Sequence, residues 1–300
     1  MIVPSSNILT GSLIGDSLAL GPHWIYDQAE IQKRFGRVVT YQAPMATYHA
    51  GKTAGDFTHY GDQAMVLLRS IAEQGRFDLS NFSAMWHAFW ENPATISYRD
   101  GATRAVLANQ DSSSHDIAGA ARIGPLFLLE WENDQELFAA VELLTTFTHR
   151  SAEVVETAEF YTHVILAVQR GESIPNAVQK TMALTHWQAL RKSWLDAALL
   201  SAESSMTDAL ALQSHGLACS TSDAFPAICH LLLRYPQDPE VALIENINAG
   251  GDSAARGMIL GLVYGAKFSV SAWPSSWLGD LKAYPEILDL IQAITLHSEG

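Results

Sequence analysis

Asp62-Gln63-Ala64-Met65-Val66-Leu67-Leu68-Arg69-Ser70-Ile71-Ala72-Glu73-Gln74 places Met65, Leu68 and Ile71 on one stripe, with Asp62, Gln63 and Arg69 elsewhere. Apolar residues three and four apart mark a helix with one buried face. The habit returns in Leu137, Val141, Leu144 and Phe147, and again in Val154, Ala158, Tyr161, Ile165 and Val168. Ser173 with Pro175 reads as a cap followed by a first-turn proline. Ser222 reads as the cap of a helix running to about Arg234, which would put Pro226 in its first turn. Gly171 and Gly216 read as helix stops. Only Arg37 to Gln42 offers a short alternating, strand-like pattern. The expectation is an all-α fold of roughly a dozen helices in one compact domain over residues 1–300, because the loop-like clusters at 109–116, 214–223 and 269–280 are too short to be linkers.

Composition agrees and narrows the function. Of 300 residues, 48% are apolar and 17% charged, which supplies a core and excludes a disordered chain. The net charge of −14, with 32 acids against 18 bases, argues against nucleic acid or an anionic membrane as the main partner and still allows a local basic pocket for a phosphate-bearing ligand. The apolar stretch Met258–Ala266 falls short of the ~20 residues a membrane span needs. Residues Met1 to Leu20 lack a basic lead and carry Asp16, so no signal peptide is expected. Two cysteines, Cys219 and Cys229, exclude a disulfide framework and fit a reducing, cytoplasmic setting.

Four segments join small residues to polar ones. Gly11-Ser12-Leu13-Ile14-Gly15-Asp16-Ser17-Leu18-Ala19-Leu20-Gly21 has glycines four apart within a helical pattern, which predicts close helix–helix contact and a partner for Asp16 if it is buried. Gly55 to Met65 gathers His59, Tyr60, Asp62 and Gln63 where a helix is expected to open at Gly61–Asp62. Asn246 to Gly261 runs Gly250-Gly251-Asp252-Ser253 into a small-residue helix carrying Arg256. Such a turn lets backbone N–H groups approach a ligand, as in phosphate-binding loops. Ala120-Ala121-Arg122-Ile123-Gly124-Pro125-Leu126 and the later Phe147-Thr148-His149-Arg150 form the fourth. Each has an ordinary alternative as a helix cap or packing turn. No HExxH or CxxC metal spacing, GxSxG elbow, Walker loop or Asp-Asp-x-x-Asp cluster is present.

In this order and at these distances the four segments resemble the ADP-ribosylglycohydrolase family, over about residues 8 to 266. The resemblance implies an all-helical fold and cleavage of ADP-ribose from modified side chains. Active members carry Thr-Asp-Asp-Thr and Asp-x-Asp-Thr motifs that hold a pair of Mg²⁺ ions; here the matching positions read Tyr60-Gly61-Asp62-Gln63 and Asp252-Ser253-Ala254-Ala255. Of six ligand positions, only Asp62 and Asp252 keep a carboxylate. Mg²⁺ wants close to six oxygens, so one loosely held ion on Asp62 and Asp252, or none, is expected. Arg256 is then expected to supply the lost positive charge, pairing with Asp62 and Asp252 or gripping a substrate anion.

The resemblance therefore implies a hydrolase of an N- or O-glycosidic bond in an ADP-ribosyl or related nucleoside-like substrate. Asp62 and Asp252 would be its catalytic carboxylates, with Asp16 in support. His59, Tyr60, Gln63, His149, Gly250, Gly251, Ser253 and Arg256 would bind substrate. The motif combination is also similar to a divergent branch holding the J1 eye-lens crystallins of jellyfish. That branch keeps open a non-catalytic, ligand-binding or structural reading.

Overall fold

The computed structural model describes residues 4–298, so the first three residues of the segment read above for a signal peptide and the last two residues lie outside the described range. Its helices run in the order α1 Ser6–Ala19, α2 Gln28–Phe35, α3 His59–Gln74, α4 Leu79–Glu91, α5 Gly101–Leu107, α6 Ala118–Ala121, α7 Asp134–Thr146 and α8 Ala152–Gln169. They continue with α9 Ile174–Met182, α10 Lys192–Glu203, α11 Asp208–His215, α12 Thr221–Arg234, α13 Pro239–Ala249, α14 Ser253–Lys267, α15 Ser275–Gly279 and α16 Tyr284–Ser298. Among the described residues no strand forms, and no helix is long and apolar enough to cross a membrane. The expected strand at residues 37–42 is irregular chain: Val38 pairs with the Asn248 side chain through both its N–H and its carbonyl, so it finds no ladder partner.

α1 and α14 form the central pair, and both are buried over nearly their whole length. Glycine makes that possible. A Cβ at Gly15 would run into the Gly257 carbonyl, and one at Gly261 into the Gly11 carbonyl, so only glycine lets the two backbones touch. Around this pair one hydrophobic core extends from Ile8 to Ile294.

Helix ends follow the local chemistry, with two corrections. Ser173 caps α9, accepting from the Asn176 N–H, and Gly171 and Gly216 take positive φ just past α8 and α11. α12 instead starts one residue before the expected cap, and Pro226 lies inside it. Its missing N–H leaves the Ser222 carbonyl without a helical donor. α3 opens at His59, capped by Thr58, whose side chain accepts from the Tyr60 N–H; Asp62 is a first-turn residue, not the cap.

Candidate active site

Three joints converge at the head of α3. The first is the Gly250–Gly251 turn between α13 and α14. Both glycines have positive φ, and a Cβ at Gly251 would strike Leu217. The turn's donors are all engaged: Gly250 N–H bonds the Ile247 carbonyl, Gly251 N–H the Ile25 carbonyl and Asp252 N–H the Leu217 carbonyl. It is therefore not the anion cradle the sequence allowed. It is a clamp that fixes Asp252. The second joint is an isolated antiparallel bridge between Asp116 and Ser220, with the Ile117 N–H 2.9 Å from the Cys219 carbonyl. This bridge sets Asp116 and Cys219 beside Asp252, with one ligand atom of each within 4.8 Å of the others. The third is Trp24, a non-glycine residue at φ 64. Such a conformation costs about 1–3 kcal/mol and persists only where surroundings impose it. Here the Trp24 N–H bonds the Gly251 carbonyl at 2.9 Å, and its indole Nε1–H bonds Asp252 Oδ2 at 2.9 Å.

Tyr60 links the carboxylates. Its hydroxyl lies 3.1 Å from Asp252 Oδ2 and 3.3 Å from Asp116 Oδ2. One hydroxyl has one hydrogen, so when Tyr60 donates to Asp252 its oxygen accepts from a protonated Asp116. Burial, and then the neighbouring charge of Asp252, push the Asp116 carboxyl up to about 7. Burial raises Asp252 as well, opposed by the Trp24 hydrogen bond and nearby positive charge. Near neutral pH the pair thus shares one proton. Burial also works to raise Asp100, but the His59 contact, at 3.5 Å, and the Thr103 N–H overcome it and hold this carboxyl well below its usual range.

An aromatic shell surrounds the pair. Trp24 stacks on His23 and His49 and meets Tyr48 and Tyr98 edge-on, and His59 packs against Tyr60 with ring centroids 3.8 Å apart. His23, His49 and His59 are buried and poorly satisfied: His59 Nε2 reaches Asp100 only at 3.5 Å, His23 Nε2 reaches Asp252 Oδ1 only at 3.8 Å, and neither ring nitrogen of His49 has a hydrogen-bond partner. Burial holds the His23 and His49 imidazoles neutral. Buried polar atoms are nearly always paired, so a concentration of poorly paired ones marks a place where function opposes stability. At the outer edge Tyr48 is 58% exposed and Tyr26 52%, while Asp116, Cys219, Trp24 and Tyr98 are half-buried.

The other expected residues sit elsewhere or do other work. Asp62 does not meet Asp252: its Oδ2 accepts from Lys52 Nζ and Ser97 Oγ, both at 2.6 Å. Burial raises its carboxyl, and Lys52 is the main force opposing this. Asp16 lies under the start of α3, accepting from the Thr58 N–H and hydroxyl and the Gly61 N–H, so it positions the helix. Gln63 accepts from Trp86 and Arg122, away from solvent. Arg122 also bonds Thr148, whose hydroxyl lies 2.8 Å from His149 Nδ1, so the fourth segment is a buried strut in which burial lowers His149 to about 3. Ser253 is buried, and its carbonyl accepts from Asn246.

Arg256 corrects the charge-replacement idea. It is fully buried and binds neither Asp62 nor Asp252; its guanidinium donates to Asn246 Oδ1 at 2.9 Å and to the Gly250 carbonyl at 2.6 Å, with Leu217 at 3.4 Å. It braces the glycine turn from behind, and the cation beside an expected ligand aspartate is Lys52.

These partners decide which ion the site fits. A Mg²⁺ shared by Asp62 and Asp252 does not fit, because an ammonium already sits on Asp62 and Asp252 Oδ2 already serves Trp24 and Tyr60. The converging donors are two carboxylates and the Cys219 sulfur, not six oxygens. Asp116, Cys219 and Asp252 remain a possible metal-ligand group of softer character.

Sequence reading missed Asp116, Asp100, Trp24, His23, His49, Lys52, Ser97 and Cys219 as site residues. A weak signal existed in Gly21-Pro22-His23-Trp24, where bulky polar rings follow directly on a helix of small residues. Asp116 lay in what reads as a plain polar loop.

Crystallins J1A and J1B of Tripedalia cystophora are 20% and 21% identical to the chain, over 96% and 95% of it and 94% of each crystallin. An uncharacterized protein of Archaeoglobus fulgidus is 25% identical over 92% of this chain and 90% of its own. A solved structure described as an ADP-ribosylglycohydrolase-related protein complex superposes with a TM-score of 0.75 at 20% identity, covering 97% of this chain and 96% of that one, and shares the fold. The profile of the ADP-ribosylglycohydrolase family matches residues 7–300, and the chain belongs to that family.

Proposed function

We propose that the chain hydrolyses a glycosidic bond of an ADP-ribosyl or related nucleoside-like substrate, with Asp116 and Asp252 as the reacting carboxyls. The observation that carries this is the Asp116–Tyr60–Asp252 unit, which holds one proton between the half-buried Asp116 and the buried Asp252 within the aromatic shell around Trp24. Glycoside cleavage passes through an oxocarbenium-like state and needs a proton for the leaving group, a neighbouring negative charge and an activated water. Protonated Asp116 donates to the leaving atom as its bond to the anomeric carbon breaks. The Asp252 carboxylate stabilises the positive sugar and then takes a proton from the attacking water. The Tyr60 hydroxyl, in contact with both, returns that proton to Asp116 and restores the starting state. Tyr48, Tyr98 and Trp24 offer faces for a base or ribose. No step passes through a metal ion.

A second reading, a binding or structural protein, draws on the Lys52–Asp62 pair, which neutralises a carboxylate that hydrolases of the family are expected to give to metal. One experiment separates the two. Wild-type protein is incubated with ADP-ribosylated peptides and with ADP-ribosyl small molecules, free ADP-ribose is quantified by chromatography, and thermal unfolding is followed with ADP-ribose. Release that disappears in Asp116→Asn supports the hydrolase. Saturable stabilisation without release supports the second reading. Neither release nor stabilisation overturns both.

A further inference from the structure

We propose that Glu159, His163 and His186 form a second divalent-metal site, outside the Asp116–Asp252 cluster, which takes a borderline ion such as Zn²⁺ and ties the link between α9 and α10 to α8. Glu159 and His163 are four apart on α8 and so share a helix face. His186 comes from the α9–α10 link. Its Nε2 lies 3.1 Å from Glu159 Oε1, His163 Nε2 lies 3.8 Å from the same oxygen, and all three ligand atoms fall within 4.8 Å of one another. A tetrahedral ion with bonds of ~2.0 Å sets its ligand atoms about 3.3 Å apart, so modest side-chain rotation closes the site.

The donors are held rather than loose. The Glu156 carboxylate accepts from three successive N–H groups of the link, those of Gln188, Ala189 and Leu190, and the Trp187 indole N–H bonds the Thr181 carbonyl. His186 packs on Trp187 with centroids 4.0 Å apart and His163 on Phe138 at 4.3 Å. Two imidazoles and one carboxylate from a helix and a loop suit Zn²⁺ better than Mg²⁺ or Ca²⁺, and solvent can supply the fourth ligand. Half-exposure of Glu159 and His163 and exposure of His186 give an ion access.

The test uses chelator-treated full-length protein, titrated with Zn²⁺ by calorimetry and with Co²⁺ by visible spectroscopy, in wild type and in a Cys219→Ser background that silences the thiol. The expected result in Cys219→Ser is one equivalent of metal and Co²⁺ absorption free of a thiolate charge-transfer band. Zn²⁺ should raise the unfolding temperature of this protein. Affinity should fall at least about 10–100-fold, the range for disturbing a metal site's supporting shell, on Glu159→Gln, and binding should vanish on His163→Ala/His186→Ala. If Cys219→Ser does not fold, the absence of a thiolate band for one of the equivalents bound by wild type makes the same assignment. No band-free equivalent in either protein, or an affinity unchanged by loss of both histidines, overturns the site and leaves ordinary surface His–Glu pairs.

Discussion

Asp62 and Asp252 each lie in or beside the first turn of a central helix, and in the sequence they look like partners. Their surroundings differ completely. Asp62 lines a cavity of about 290 Å³ together with Lys52, and its charge is paired there by the Lys52 ammonium and the Ser97 hydroxyl. Asp252 meets a second carboxyl, a shared phenol, an indole and, at 3.8 Å, the His23 imidazole. Similar helix-start sequences thus make one carboxylate paired to an ammonium and one set against a second carboxyl. A carboxylate's role follows from the charge of its nearest partner rather than from its place on a helix.

The comparison is open to direct attack. The largest expected effect is on turnover: Asp252→Asn should lower kcat about 10²–10⁴-fold, the usual contribution of acid–base groups, while Asp62→Asn should cost less than about tenfold. Steady-state release of ADP-ribose, with circular dichroism to check folding, decides it; equal losses would erase the distinction between the two ends.

Next comes stability. Lys52→Met strands the Asp62 charge, and with Lys52 8% and Asp62 17% exposed the expected loss is about 3 kcal/mol in chemical denaturation. Lys52→Met/Asp62→Leu should recover most of that, because apolar replacement of a buried pair is often neutral. A harmless single mutant would show that Lys52 does not pair the Asp62 charge as described.

The pH profile sharpens the other end. Asp116, pushed up to about 7, must be protonated and Asp252 must be ionised, so the rate should fall about tenfold per unit above about 7 and fall again at lower pH, where Asp252 takes up a proton. The folded-state affinity of Asp116 for a proton exceeds the ordinary carboxylate value of 3.8, so its contribution to stability is full at low pH and is lost as pH rises from about 4 to about 7. Asp116→Asn should remove the alkaline limb of any residual rate and flatten that part of the stability curve.

The smallest effect belongs to the rim. Tyr48→Ala removes an exposed ring from the mouth and should weaken ADP-ribose binding about fivefold, roughly 1 kcal/mol, in calorimetry. An unchanged Kd would place the ligand away from the aromatic shell.

Much of the fold could be read from local pattern. The α3, α7 and α8 stripes, the Ser173 cap and the glycine stops depend on residues within one or two turns of each other, where spacing and propensity dominate. The Gly11–Gly15 signal for close helix contact was legible for the same reason: glycine mid-helix is costly without a backbone against it. Tyr60, His59 and Asp252 were singled out by the sequence and do come together at the head of α3, but their partners were not legible.

Trp24, Asp116 and Asp252 are spread across more than 220 residues, and nothing local about Asp116 sets it apart from any loop aspartate. Sequence by itself determined the helical architecture and the polar head of α3, because those are properties of neighbours along the chain. Tertiary structure alone decided that Lys52 rather than Arg256 neutralises Asp62, that Arg256 braces a turn, and that Asp116 is the second carboxyl. Charge interactions depend on separation in space and on exclusion of water, and both are set only once the helices have packed.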